Sequence, residues 1–236
     1  MKTILTIAGS DSSGGAGIQA DIKSGFYHKV FVTTAVTAVT VQNTLGVSNV
    51  VVLEPTFIKE QIIAVIVDFK IDAIKIGMLS SSELILAVIE TIKDLSIPII
   101  LDPVAISRAG SKLLDDEAIN TLKSIFKYAL VVTPNSLESE LFFNVKNIDD
   151  IKKLKDIPTN ILFKNIEKSD EKTIDILLCK NGEIKVFEEK KADISNTHGT
   201  GCSFSASIAS LIARGKTLED SIKISKKYIY NAWKNK

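Results

Sequence analysis

The sequence predicts an α/β fold in which a mostly parallel sheet is covered by helices on both faces. Three observations lead there. Apolar runs rich in Val and Ile, bounded by turn residues, fall at 3–8, 32–41, 48–53, 73–77, 97–101, 129–133, 159–164, 174–179 and 184–187, and read as strands. Stretches with helical periodicity lie between many of them, near 15–28, 56–69, 82–95, 115–127, 136–143, 202–214 and 218–233, the pattern of βαβ units. Runs such as Pro98-Ile99-Ile100-Leu101 are apolar without alternation, as strands buried on both faces require.

Taken in order, the first strand is a short apolar run, Ile4 to Ala8, that stops at Gly9-Ser10-Asp11. It is too short for the core of a signal peptide or a membrane span, so a cytoplasmic protein is expected. The second strand ends at Gln42, the fourth just before Met78, the fifth at Asp102 and the sixth shortly before Asn135. Ligands of such sheets bind beyond the carboxyl ends of the strands. Polar and reactive residues do gather there, which marks that edge as the candidate site. The Lys-rich segment 146–156 reads as a solvated helical face, and the last strands lead into the helices near 202–214 and 218–233.

A chain of 236 residues with 45% hydrophobic residues suits one domain spanning 1–236, and no repeat, low-complexity tract or linker interrupts it. Lys+Arg 29 against Asp+Glu 28 leaves a net charge of +1, so no global field draws the protein to nucleic acid or an anionic membrane. Neither is expected as a partner, and any bound anion must be held locally. Cys179 and Cys202 are too far apart for a local metal motif and fit a reducing compartment, with Cys179 read as a buried structural thiol.

Two glycine-rich segments carry the chemistry. Gly9-Ser10-Asp11-Ser12-Ser13-Gly14-Gly15-Ala16-Gly17 lacks the lysine of a Walker A loop, since Gly15 stands in its place. Gly215-Lys216-Thr217 lacks the upstream glycine and follows a helix. The dinucleotide fingerprint is missing too, because the second strand ends in Gln42 rather than an acid. Close packing alone is the other reading of the first segment. Asn196-Thr197-His198-Gly199-Thr200-Gly201-Cys202 precedes a helix of small residues and reads as an anion cradle at the positive end of its dipole. Cys202 in the first turn is either a base or nucleophile with a lowered pKa, or a small buried residue at the start of a packed helix. His198 receives no role. Asp102 and Glu138 are candidates for magnesium, and Glu138 equally reads as an ordinary first-turn helix acid.

At these residues the chain resembles the hydroxymethylpyrimidine/phosphomethylpyrimidine kinases of thiamin biosynthesis, in the ribokinase-like superfamily that also holds pyridoxal kinases. The segment 6–23, Gln42-Asn43-Thr44, Lys75-Ile76-Gly77-Met78-Leu79, Leu101-Asp102-Pro103-Val104, Thr133-Pro134-Asn135 and Asn196 to Cys202 occur in that family's order and spacing. The resemblance implies a three-layer sandwich that phosphorylates 4-amino-5-hydroxymethyl-2-methylpyrimidine, then its monophosphate, using ATP and Mg²⁺. Gly9 and Asp21 would lie near the pyrimidine, Gln42 would bond its ring edge, and Met78 and Val104 would line the pocket. Asn135, Glu138 and Asp102 would lie near the phosphates and magnesium, and Lys164 near the phosphate chain. Gly199, Thr200 and Gly201 would form the anion hole. Cys202 would be the catalytic base, where most of the superfamily carries an aspartate. A homodimer is the expected assembly.

The chain departs from the family at Asn165-Ile166, where two glycines are usual, at Thr40-Val41, and by being short around 144–158 and at its C-terminus. Pyridoxal kinase activity and a non-catalytic pyrimidine-sensing domain are the competing functions.

Overall fold

The computed structural model describes residues 1–106, 114–167, 169–191 and 198–234. Among these, nine strands form one sheet: β1 (Thr3–Asp11), β2 (Phe31–Asn43), β3 (Gly46–Val52), β4 (Ala73–Ile76), β5 (Ile99–Leu101), β6 (Val131–Val132), β7 (Asn160–Glu167), β8 (Lys172–Leu178) and β9 (Ile184–Lys190). Their spatial order is β3-β2-β1-β4-β5-β6-β7-β8-β9. The centre from β2 to β7 is parallel, and β3, β8 and β9 join antiparallel at the two edges. The helices are α1 (Gly17–Tyr27), α2 (Pro55–Asp68), α3 (Ser82–Ile92), α4 (Asp116–Ile125), α5 (Ser136–Phe143), α6 (Ile148–Lys153), α7 (Thr200–Ala213) and α8 (Leu218–Lys234). The Lys-rich segment does form a short helix, α6, although its Ile151 is buried.

Successive side chains of a strand point to opposite faces, and the two cores follow that rule. Leu5, Ile7, Ile74, Ile76, Leu101 and Val132 pack against Ile58, Ile62, Leu84, Val88 and Leu122 of α2, α3 and α4. The intervening Ile4, Ala73, Ile100 and Val131 pack instead on Phe204, Ile208, Ala209 and Ile222 of α7 and α8. Burial on both faces explains why these strands lack polar alternation. β3 pairs with β2 only from Ala38 onward, and Gln61 of α2 serves the backbone N–H and C=O of Val36 at 2.9 and 3.0 Å. Cys179 is half-buried at the margin of the second core rather than within it, and burial pushes its thiol up.

Asn165 accounts for the missing glycine after Lys164. It adopts a left-handed φ of 48°, a conformation asparagine tolerates, and its N–H donates to Asp175 Oδ1 at 2.8 Å. Lys226 of α8 pairs with the other oxygen of Asp175 at 2.7 Å. Ile166 then packs inward in a third cluster with Ile161, Phe163 and Ile176.

His28 is buried beside α7, with Nε2 2.6 Å from Ser207 Oγ, which in turn lies 2.7 Å from Ser225 Oγ. Burial, and then the charge of Arg214, lower its pKa from 6.5 to about 4. As pH falls through that interval, the unfolded chain takes up a proton that the folded chain refuses, so stability declines between about 6.5 and 4. Thermal melts of His28→Gln should show a lower Tm at neutral pH and a shallower decline over this interval. Parallel declines in the two proteins would show that His28 does not govern it.

Candidate active site

The carboxyl ends of β1, β2, β4, β5 and β6 open on one edge, where the first glycine-rich segment meets residues 198–202 of the second, whose residues 196 and 197 lie outside the described residues. Asp11, at the end of β1, turns the N-terminal segment back on itself. Its carboxylate accepts from Ser13 N at 2.8 Å, Gly15 N at 3.0 Å and Ala16 N at 2.7 Å. His198 Nε2 lies 2.9 Å from Asp11 Oδ2, so the same carboxylate ties this segment to the turn before α7. Burial would raise Asp11, but His198, Ser13 and Ala16 outweigh it and hold the carboxyl below its ordinary value.

Gly199 precedes α7 with φ of 81° and has no side chain to cap the helix. A Cβ there would lie 1.7 Å from Gly15 O, so only glycine allows the two segments this approach. An α7 begun this way keeps the positive end of its dipole for an anion.

Cys202 is in the first turn of α7 and half-buried. The expectation of a depressed thiol pKa is corrected here. Desolvation pushes the thiol up, Asp102 and Asp21 add to the rise, and Lys75 together with the Gly17 N–H only partly offsets it. The favourable helix end is local, whereas the carboxylates are brought in by distant strands.

Lys75 is completely buried in β4, with Nζ 2.9 Å from Asp21 Oδ2, which also accepts from Thr6 Oγ1. Burial alone would lower the ammonium's pKa, but Asp21, then Cys202 and Asp102, hold it well above its usual value. Asp21 has no exposed surface. It is the partner of Lys75, because a lysine buried in a strand must be paired. The sequence reading assigned Lys75 no role. Its one signal was a charged residue within the otherwise apolar strand Ala73-Ile74-Lys75-Ile76.

On the other side of Gly201 lies a second, partly buried pair. Asp102 Oδ1 accepts from Lys164 Nζ at 2.7 Å and from Thr133 Oγ1 at 3.1 Å, and Oδ2 accepts from Ser205 Oγ of α7 at 3.2 Å. Burial opposes ionisation, but Lys164 and then Lys75 hold Asp102 below its usual value. A Cβ on Gly201 would come 3.6 Å from Lys164 Nζ and 3.8 Å from Asp102 Oδ2, so the start of α7 lies directly against this pair. Asn135 and Glu138 form a reciprocal cap on α5, with Glu138 N donating to Asn135 Oδ1 at 3.0 Å and Asn135 N to Glu138 Oε2 at 2.9 Å. Glu138 is also buried, and desolvation raises it to about 7 despite Lys164. The helix-acid reading of Glu138 therefore holds, and the same residue faces the field of Lys164 and Asp102.

Among the described residues no three His, Cys, Asp or Glu side chains cluster to hold a metal by themselves. Two carboxylates flanking a lysine fit Mg²⁺, which usually keeps water and takes its remaining oxygens from phosphates.

On the opposite wall, Gly9 approaches Met78, whose Sδ would lie 3.8 Å from a Cβ at Gly9. Thr37 Oγ1 holds the Met78 carbonyl at 2.8 Å, and Val104 follows Asp102, its N–H reaching the Asp102 carbonyl at 2.9 Å. Gln42 is half-exposed at the end of β2, with its side-chain amide 3.5 Å from His198 Nε2. His198 and Asp11 thus join the candidate substrate wall to the anion turn, which the sequence reading did not anticipate.

In the absence of a Walker loop, the turn before α7 is an anion cradle with the Lys164–Asp102 pair beside it. The fold is that of the ribokinase-like small-molecule kinases. The family described as phosphomethylpyrimidine kinase matches residues 11–236. A hydroxymethylpyrimidine/phosphomethylpyrimidine kinase of Haemophilus influenzae is 38% identical over 241 residues, covering 97% of this chain and 90% of its own length. The crystal structure of a phosphomethylpyrimidine kinase from Clostridium difficile 630 superposes with a TM-score of 0.84 at 38% identity, covering 98% of this chain and 99% of that one. The pyridoxal kinase of Staphylococcus aureus in complex with AMP-PCP gives 0.89 at 27% identity, covering 100% and 89%. The chain belongs to the phosphomethylpyrimidine kinase family.

Proposed function

We propose that this enzyme transfers the γ-phosphoryl group of ATP to the hydroxymethyl oxygen of 4-amino-5-hydroxymethyl-2-methylpyrimidine, a thiamin precursor, and then phosphorylates the monophosphate. The observation that carries the reading is the turn Gly199–Cys202, set between the Asp102–Lys164 pair and, through His198, Gln42. Gln42 takes the aminopyrimidine edge, while Gly9, Met78 and Val104 shape the pocket and Asp21 acts from behind by fixing Lys75. The alcohol proton passes to the thiolate form of Cys202, giving the thiol, as the oxygen bonds to phosphorus and the bond to the departing diphosphate breaks. Lys164, Lys75 and the start of α7 stabilise the charge that spreads over the transferring phosphoryl oxygens. Asn135 orders the start of α5, and Glu138 and Asp102 would hold Mg²⁺, which would supply charge neutralisation at the phosphates.

The domain is read as one kinase unit over 1–236, in the cytoplasm and as a homodimer. No helix among the described residues is long and apolar enough to cross a membrane. The β2–β3 arm exposes Val39, Val41, Leu45, Val47 and Val51, an apolar surface that suits a second copy of the chain.

Pyridoxal is the competing substrate. Gln42 favours the pyrimidine because its amide complements an amino group beside a ring nitrogen. A sensing domain is disfavoured, because Asn165 keeps the left-handed backbone that a glycine would supply. ATP consumption with the hydroxymethylpyrimidine and pyridoxal side by side should give a higher kcat/KM for the pyrimidine. An equal or higher value for pyridoxal would reject the assignment.

A further inference from the structure

The hydrogen-bond accounting around His198 bears on which ring the enzyme accepts, given the reading above that Gln42 meets the pyrimidine edge. Asp11 Oδ2 lies 2.9 Å from His198 Nε2. A carboxylate only accepts, so Nε2 carries a proton whether the ring is neutral or charged. The same nitrogen lies 3.5 Å from Gln42 Nε2. Donor there faces donor, whereas an amide oxygen turned to this place would take the longer, second share of a proton that goes first to Asp11. At the amide's other end, Gln42 Oε1 lies 3.0 Å from Thr40 Oγ1, which is also 2.9 Å from the Ser10 carbonyl. Its single proton is spent on the carbonyl, leaving a lone pair for an amide N–H.

Both neighbours select the amide turned by half a turn from these positions, with the Gln42 nitrogen toward Thr40 and the oxygen toward His198. The two orientations differ by half a turn of the amide, and only hydrogen bonding distinguishes them. The ring of His198 has little room to move, since a Cβ on Gly15 would fall 2.6 Å from its Cδ2.

We propose that His198 is a specificity-determining positioning residue, which fixes the Gln42 amide so that the pocket presents acceptor and donor in a set order. That order matches a ring with an amino group beside an unprotonated nitrogen. It opposes a ring with a carbonyl beside an N–H. His198 acts on the choice between such rings through Gln42, without touching the reacting atoms.

The test compares kcat/KM for 4-amino- and 4-oxo-5-hydroxymethyl-2-methylpyrimidine in the intact enzyme, His198→Phe, His198→Gln and Gln42→Ala. Phe keeps a ring against Gly15 without the Nε2 proton, and Gln returns a donor near that place. The preference for the amino ring should fall about tenfold or more in His198→Phe, as expected when a donor or acceptor is left unmatched, and largely return in His198→Gln. A variant that only disturbed the anion turn would lower both rates together and leave their ratio intact. If Gln42→Ala abolishes the preference while His198→Phe keeps it, this proposal is wrong and the reading of Gln42 stands. If the intact enzyme has no such preference, the reading of Gln42 fails and this inference fails with it. Should His198→Phe not fold, His198→Asn, too short to place its amide at the Nε2 position, carries the same comparison.

Discussion

Replacing Cys202 by serine should slow transfer to the alcohol by about 10²–10⁴-fold, the usual contribution of a positioned general base, and slow transfer to the monophosphate much less. The first nucleophile must lose a proton as it attacks. The second is a phosphate oxygen that is already largely ionised at neutral pH, its second pKa being about 6. Serine keeps the size and place of the side chain in the first turn of α7, but its hydroxyl is a far weaker acid than a thiol. The thiol itself is no low-pKa group in the free protein, because burial and the nearby Asp102 and Asp21 oppose its ionisation. Lys75 and the Gly17 N–H are what make the thiolate accessible at all. Single-turnover rates for the two substrates, on protein shown to fold and to bind both, measure the asymmetry. Equal losses in the two steps would assign Cys202 a packing role.

Gly199→Ala should lower kcat/KM for both steps by about 10²-fold or more, since misplacing reacting groups by an ångström can cost that much. The added methyl would fall 1.7 Å from Gly15 O, and the neighbouring heavy atoms there are backbone, which cannot rotate away. The segments must separate, moving the start of α7 away from Lys164 and Asp102. A left-handed φ also costs alanine roughly 1–2 kcal/mol. Unlike Cys202→Ser, this variant should impair the two transfers alike. Near-parental rates in both would show that the contact between Gly15 and Gly199 is not what places the cradle.

The strands were legible because Val and Ile runs buried on both faces leave an unbroken apolar signature, as in Ile99-Ile100-Leu101. Their ends were less so: the sixth strand, read over 129–133, narrows to Val131–Val132, and β2 runs on through Gln42 to Asn43. Glu138 was readable as a first-turn helix acid, but its reciprocal cap with Asn135 was not foreseen. The Lys75–Asp21 pair and the proton affinity of Cys202 were not readable either. Each depends on partners that the parallel sheet brings together from distant positions, Asp21 and Lys75 being 54 residues apart. The role of Asp11 escaped for the same reason, since His198 reaches it across 187 residues.

The central claim is that one site performs two transfers of which only the first needs Cys202 as base. The most direct measurement is the pH dependence of both single-turnover rates in the intact enzyme between about pH 6.5 and 8.5. A base whose pKa lies above the ordinary thiol value of 9.0 gains its active form as pH rises. Transfer to the alcohol should therefore climb nearly tenfold per pH unit, while transfer to the monophosphate levels off once its phosphate is ionised. Glu138, which titrates near 7, acts on both steps, so the ratio of the two rates isolates the thiol. A ratio that rises steadily with pH agrees with this mechanism, and a ratio constant across the range contradicts it.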